Sequence, residues 1–300
     1  MRAPATAALL VLLLAGGVAR GVAQAPEAGE GDLAAGDRAW AERSYGEGDG
    51  ARADREAIAR AVAAYRRAAE AAPDDLGVWD KLLGALYFQG EYVAADTDER
   101  REVFDQGKEA AEEALGRLAG LAGVEPKKFR DLDPDERVAR LRAANVEPAP
   151  AATLFFWSGV HWGLWGDAYG RFAAAREGVA GTVRDDALTA LALDPTVERA
   201  GPHRVLGRLH AEAPKIPFFT GWVDRDLAIA ELESAVETAP GEPLNRLYLA
   251  EALLDYRPER AADARAQLHA VLDRPGEADR VVEWADAKRR AREILEEQAP

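Results

Sequence analysis

The sequence predicts an all-α chain built as a solenoid of paired helices, and three observations carry that prediction. A small, bulky, small, proline spacing at Ala61, Tyr65, Ala68 and Pro73 recurs in kind as Ala228, Leu232, Ala235 and Pro240, and more loosely as Val183, Ala187, Ala190 and Pro195. The first three residues of each copy share one helical face, and the proline opens the link to the next helix. Apolar residues at i, i+3 and i+4 fill most of the chain, whereas the bounded apolar–polar alternation of a strand is missing. Downstream anchors agree with the register: Trp79 and Leu82 follow Pro73, and Leu249, Ala250 and Leu253 follow Pro240.

One copy in an alanine-rich chain would carry little weight, but three copies that each close with a proline do. The spacing is that of the second helix of a tetratricopeptide (TPR) repeat, so the expected fold is an all-α, TPR-like helical-hairpin solenoid.

Residues 1–23 read as a signal peptide. Met1 and Arg2 give a positive start, Ala7 to Ala19 an apolar run too short to span a bilayer, and Ala23 to Ala25 a small-residue cleavage region. Residues 24–31 are expected as a flexible leader, and residues 32–119 as a first set of TPR-like helices. A short helix is predicted from Leu33 to Arg43 and a glycine-rich loop from Tyr45 to Asp54. The helix ending at Pro73 then carries the apolar face Ala57, Ile58, Ala61, Val62, Tyr65 and Ala68. The next helix is expected from Leu76 to Phe88, a turn at Gln89 to Glu91, and a longer helix to Leu118.

Residues 120–150, punctuated by Pro126, Pro134, Pro148 and Pro150, are expected as a connection with one short helix between Pro134 and Ala144. Residues 151–300 are expected as the second set. Its first helix, Ala151 to Arg176, is apolar on every side and must be buried all round or line a protected groove. Gly178 to Leu193 is its partner, and Pro202 falls near the first turn of a helix carrying Leu206, Gly207 and His210. Pro214 to Asp224 interrupts that pair before Arg225 to Thr238, Pro243 to Tyr256 and Glu259 to Leu272. The helix through Val281, Ala285, Ala291 and Leu295 is expected to cap the array.

A formal charge of −15, made two units more negative by removal of Arg2 and Arg20, argues against nucleic acid and anionic membrane as partners. Absence of cysteine excludes disulfides, thiolate metal sites, cysteine nucleophiles and a lipidated N-terminal anchor. No phosphate-cradling loop, nucleophile elbow or metalloprotease histidine pair is found, so no enzyme, cofactor or catalytic residue is predicted. His203 and His210 lie seven apart with Glu212 nearby, a poor spacing for a metal, and no metal is predicted. Acid runs such as Asp185-Asp186 and Glu296-Glu297 read as solvated faces.

Aromatic content beyond what a repeat needs marks the one candidate binding site. Trp157, His161, Trp162 and Trp165 lie on the apolar helix, and Phe218, Phe219 and Trp222 lie on the insertion. Together they could line an apolar cavity with His161 as a polar orienting group. The competing reading is that these rings fill core.

Phe155-Phe156-Trp157, Trp162-Gly163-Leu164-Trp165, Leu193-Asp194-Pro195 and Gly201-Pro202-His203-Arg204-Val205-Leu206-Gly207, followed by the insertion and the helix to Pro240, resemble the TatT component family of tripartite ATP-independent periplasmic (TRAP) transporters. The resemblance covers about the middle third of the chain. It implies an exported, periplasmic, non-enzymatic adaptor that engages a periplasmic solute-binding protein or carries an apolar small molecule, with a homo-oligomer also implied. A general cell-envelope scaffold for protein partners is the alternative. The chain departs from the family in lacking a lipobox cysteine and in its more aromatic insertion, Pro214 to Trp222.

Overall fold

The computed structural model describes residues 28–217 and 220–298 of the protein. The expected signal peptide, residues 24–27 of the expected leader, and Phe218 and Phe219 lie outside the described residues. Among those described, fourteen α-helices, two short 3-10 helices (Gly48–Gly50 and Pro258–Arg260) and one two-residue β-ladder make up the regular structure.

Helix α1 (Ala28–Ala41) begins inside the segment expected to be a leader. The loop after it closes on a minimal antiparallel ladder, β1 (Ser44–Tyr45) with β2 (Arg52–Ala53), pairing Ser44 with Ala53 and Tyr45 with Arg52. Asp54, Asp75 and Asp96 then accept backbone N–H groups at the starts of α2 (Arg55–Ala71), α3 (Leu76–Tyr92) and α4 (Thr97–Leu121). Each satisfies donors that a helix start leaves unpaired.

Helix α3 runs straight through the turn expected at Gln89 to Glu91. Gly90 is there for closeness, since a Cβ at that position would stand 2.5 Å from the Phe104 ring on α4. The connection follows at residues 93–96 instead.

Two helices, rather than one, occupy the proline-punctuated connection: α5 (Pro126–Asp131) and α6 (Pro134–Ala143). In both, proline takes the first helical position, where its missing N–H costs nothing, and an acidic residue, Glu125 or Asp133, caps the turn. The aromatic helix is also split. Its main body, α7 (Pro148–Tyr169), stops at Gly170, whose φ of 87° breaks the helix before the six-residue α8 (Arg171–Arg176).

Helix α9 (Val179–Leu193) returns along α7, and α10 (Val197–Glu212) carries an unusual start. Glu198, Arg199 and Ala200 hold φ of 48°, 58° and 63°, a left-handed run without glycine. Arg204 donates to the carbonyls of Glu198 at 3.1 Å and Arg199 at 3.2 Å, and the buried Asn245 amide donates to Arg199 at 3.1 Å. These bonds hold a conformation the local sequence disfavours. The chain continues through α11 (Arg225–Thr238), α12 (Pro243–Tyr256), α13 (Ala261–Leu272) and α14 (Val281–Glu297).

Helices α1 to α4 and α9 to α14 pack in turn on their neighbours in sequence, whereas in the middle of the chain α7 packs chiefly on α9 and α4, and α6 packs on α9. The succession returns on itself, because α14 touches the loop and ladder that follow α1. A large apolar core joins α1 to α4 with α7, and a second joins α11 to α14. Among the described residues no helix is long and apolar enough to cross a membrane.

Candidate functional site

Helix α7 turns its tryptophans toward α3 and α4, and a carboxylate on those helices meets each indole N–H. Trp157 donates to Asp80 Oδ1 at 2.8 Å, Trp162 to Glu112 Oε1 at 2.8 Å, and Trp165 to Asp105 Oδ1 at 2.7 Å. Tyr169 gives its hydroxyl to the other oxygen of Asp105 at 2.5 Å and stacks on Trp165 with centroids 4.6 Å apart. The Lys108 ammonium stands over both rings of the pair, 4.1 Å from Trp165 and 4.5 Å from Trp162. Trp157 and Trp165 are buried, and Trp162 is half-buried.

His161 is fully buried between these rings. Its Nε2 lies 3.1 Å from the Leu83 carbonyl, which fixes the proton on that nitrogen. Nδ1 has no partner among the described residues and faces Gly107, where an added Cβ would sit 2.1 Å away. Burial pulls the imidazole pKa down to about 4, with the Leu83 bond opposing, so it is neutral at ordinary pH. The ring is enclosed by helices α3, α4 and α7 on the sides described.

Behind α7 lies a polar cluster built on Asp186, one of the acid pair that reads in sequence as a solvated face. That expectation fails for Asp186, which is 0% exposed. Its Oδ1 accepts from Arg130 at 2.6 Å and from Arg137 at 3.0 Å, and its Oδ2 accepts from Ser158 on α7 at 2.6 Å. Arg130 also reaches Glu112 at 3.0 Å, the acceptor of the Trp162 indole, so α4, α5, α6, α7 and α9 are tied through one network. Burial lowers the Arg137 pKa despite Asp186, while Asp186 and Glu112 together overcome burial and raise that of Arg130. A cleft of 330 Å³ opens over the cluster, lined by Glu112, Arg130, Asp131, Arg137, Trp162, Thr182 and Asp185.

Helical spacing could have found Asp186. It falls three residues after Val183 and one before Ala187, on the apolar face of α9. Asp80, Asp105 and Glu112 gave no comparable signal, because their role depends on which helix α7 lies against.

Trp222, the described aromatic of the insertion, stands apart from α7. Its ring meets His210 edge-on at 5.5 Å, and the Arg184 guanidinium lies 4.7 Å over it. Among the described residues no ring pair joins Trp222 to Trp157, Trp162 or Trp165. His210 Nδ1 accepts the backbone N–H of Asp224 at 3.1 Å, whereas His203 pairs with Glu231 at 2.7 Å. The two histidines therefore serve separate contacts.

Two clefts offer different chemistry. Beside the one over Asp186, a groove of 390 Å³ between α1 and α2 has an alanine floor and walls of Arg38, Glu42, Arg60 and Arg67. Neither is lined mainly by the aromatic residues that sequence singled out. No model of a known family matches the chain, and no curated protein matches it.

Proposed function

We propose that the protein is an exported, periplasmic, non-enzymatic adaptor with a TPR-like helical-hairpin architecture, similar in kind to the TatT family, and that its partner is a protein. The observation that carries this reading is the pairing of all three α7 indoles with carboxylates of neighbouring helices. Rings held this way are locked in one orientation between their helices, which rigidifies a scaffold. Sequential packing of α1 to α4 and of α9 to α14, together with the small-bulky-small-proline spacing, supports the TPR-like reading.

Apolar side chains on the surface support a protein contact. Phe172 on α8 is 96% exposed, and Ile216 in the insertion is 41% exposed. Carriage of an apolar molecule is the competing version of the same adaptor. Solvent extraction and native mass spectrometry of the purified protein separate them: the expected result is the mass of the polypeptide alone, and a stoichiometric lipid or apolar acid would overturn the reading. A solute-binding protein is the first partner to test, by co-purification from the periplasmic fraction with Phe172→Ser and Ile216→Ser as loss-of-contact variants.

A further inference from the structure

The two faces of α14 are built to different standards. On one face Ala287 and Ala291 are fully buried in the C-terminal core, Arg290 pairs with Glu251 at 3.0 Å, and Arg280, just before the helix, pairs with the buried Glu242 at 2.6 Å. On the other face the first turn meets the segment after α1 through Val282 with partly buried Val281 and Ala285. This is a small apolar seal for a contact between residues more than two hundred positions apart.

Polar groups at that seal are incompletely paired. Arg43 is 6% exposed, with its guanidinium 4.0 Å over Trp40 and its Nη2 donating to the Asp279 carbonyl and to Glu283 Oε1 at 3.3 Å. Its Nε and the facing Glu283 Oε2 are both buried with no protein partner, and Trp284 Nε1 on the same turn is likewise unpaired. They are three of the six buried side-chain polar atoms without a partner among the described residues, so the defect is concentrated here. The outermost tie, Arg292 to Asp49 at 2.8 Å, is solvent-exposed and correspondingly weak.

We propose that the closed succession of helices opens at this seam, with α14 separating from Arg43 and the β1–β2 ladder while it stays attached to α12 and α13. Opening there uncovers the faces of α3 and α14 that look toward each other. The Arg43 guanidinium lies 5.3 Å from the centre of the Phe88 ring on α3 and bonds Glu283 on α14, which places these faces on either side of it. Unpaired buried polar atoms regain water when the seam parts, which offsets part of what is lost with the valine contacts and with the Arg43 bonds to Asp279 and Glu283.

The cysteine-free chain permits a direct test in the full-length protein. Spin labels at Glu47→Cys and Glu296→Cys report the separation of ladder and helix, and hydrogen exchange reports local opening. In the Arg43→Met variant a longer-distance population should grow, and amides of β2 and of residues 281–285 should exchange at least ten-fold faster together while those of α2 and the first half of α3 hold. A single unchanged distance in both proteins, or acceleration that spreads through α2 and α3, would overturn the proposal. Should Arg43→Met fail to fold, Arg292→Ala removes only the exposed tie and must shift both measurements in the same direction by a smaller amount; no shift there overturns it equally.

Discussion

Helix α7 and the insertion before α11 look alike as sequences, each dense in tryptophan and phenylalanine, yet they meet different surroundings. The α7 rings face helices that supply Asp80, Asp105 and Glu112, so burial leaves no indole N–H unpaired. Trp222 has the edge of His210 and the guanidinium of Arg184 against it, and its N–H finds no such carboxylate among the described residues. Aromatic excess therefore does not by itself distinguish a site from a wall. What distinguishes them is whether neighbouring elements satisfy the polar tips.

The sharpest way to break the α7 wall is to remove the charge behind it. Asp186→Ala leaves Arg130 with Glu112 alone, Arg137 with only the Arg130 carbonyl, and Ser158 without its acceptor. Uncompensated buried cations of this kind cost about 3–5 kcal/mol, so the urea midpoint should fall steeply. Asp186→Leu combined with Arg137→Met should recover a good part of the loss, because the desolvation cost leaves with the charge. A small effect in the single variant would mean that the network is peripheral to the wall.

Gly107→Ala attacks the same wall through volume. A methyl group 2.1 Å from His161 Nδ1 cannot be accommodated unless the imidazole moves, and the imidazole is fixed by Leu83 and by the flanking Trp157 and Phe104 rings. Overpacking in such a position costs about 3 kcal/mol, measurable by thermal or urea unfolding. By the same geometry Gly207→Ala, whose Cβ would meet Leu232 at 2.5 Å, should weaken the α10–α11 contact without touching α7.

Acid sharpens the comparison further. The His161 pKa is about 4 in the folded state and near 6.5 unfolded, so its contribution is intact above pH 6.5 and is lost as pH falls toward 4. The unfolded chain takes up the proton first, and the loss over that window is no more than about 3 kcal/mol. Glu198 works in the opposite sense. Burial and the nearby Asp80 push its pKa to about 7, so its contribution is complete below pH 4.5 and disappears as pH rises through 7. Stability against pH should accordingly be measured in a Glu198→Gln background, where His161→Leu should remove the His161 share of the acid-side decline and leave the share of groups such as His210 and Glu242, whose pKa values are also lowered.

The parts of the fold legible in the sequence were those written in one segment. Helical spacing and aspartate or proline caps placed α2, α9, α11 and α12 nearly as found, because caps and apolar stripes are local. The misplaced boundaries came from residues with two possible uses. Gly90 served close approach where a turn was expected, Pro126 began a helix where a break was expected, and Gly170 ended a helix that apolar content alone would have continued. The surroundings of Trp157, Trp162 and Trp165 were not legible, since their carboxylate partners lie 50 to 77 positions away and depend on tertiary packing. Left-handed Glu198 to Ala200 was equally hidden; it is held by Arg204 and Asn245 against local preference.

The smallest effect is expected at Trp222, and it tests the other side of the comparison. Trp165→Phe keeps an aromatic side chain but loses the second ring and the buried N–H bond to Asp105, and should cost about 2 kcal/mol. Trp222→Ala removes a half-buried ring that packs on His210 and Arg184, and should cost about 1 kcal/mol or less. The informative reading is the titration of His210, whose pKa is lowered mainly by burial. Removing the indole admits water to one face of the imidazole and should move that pKa upward toward its ordinary value, followed by the histidine NMR signals. A large stability loss with an unmoved His210 would show that Trp222 is wall after all, held as firmly as the rings of α7.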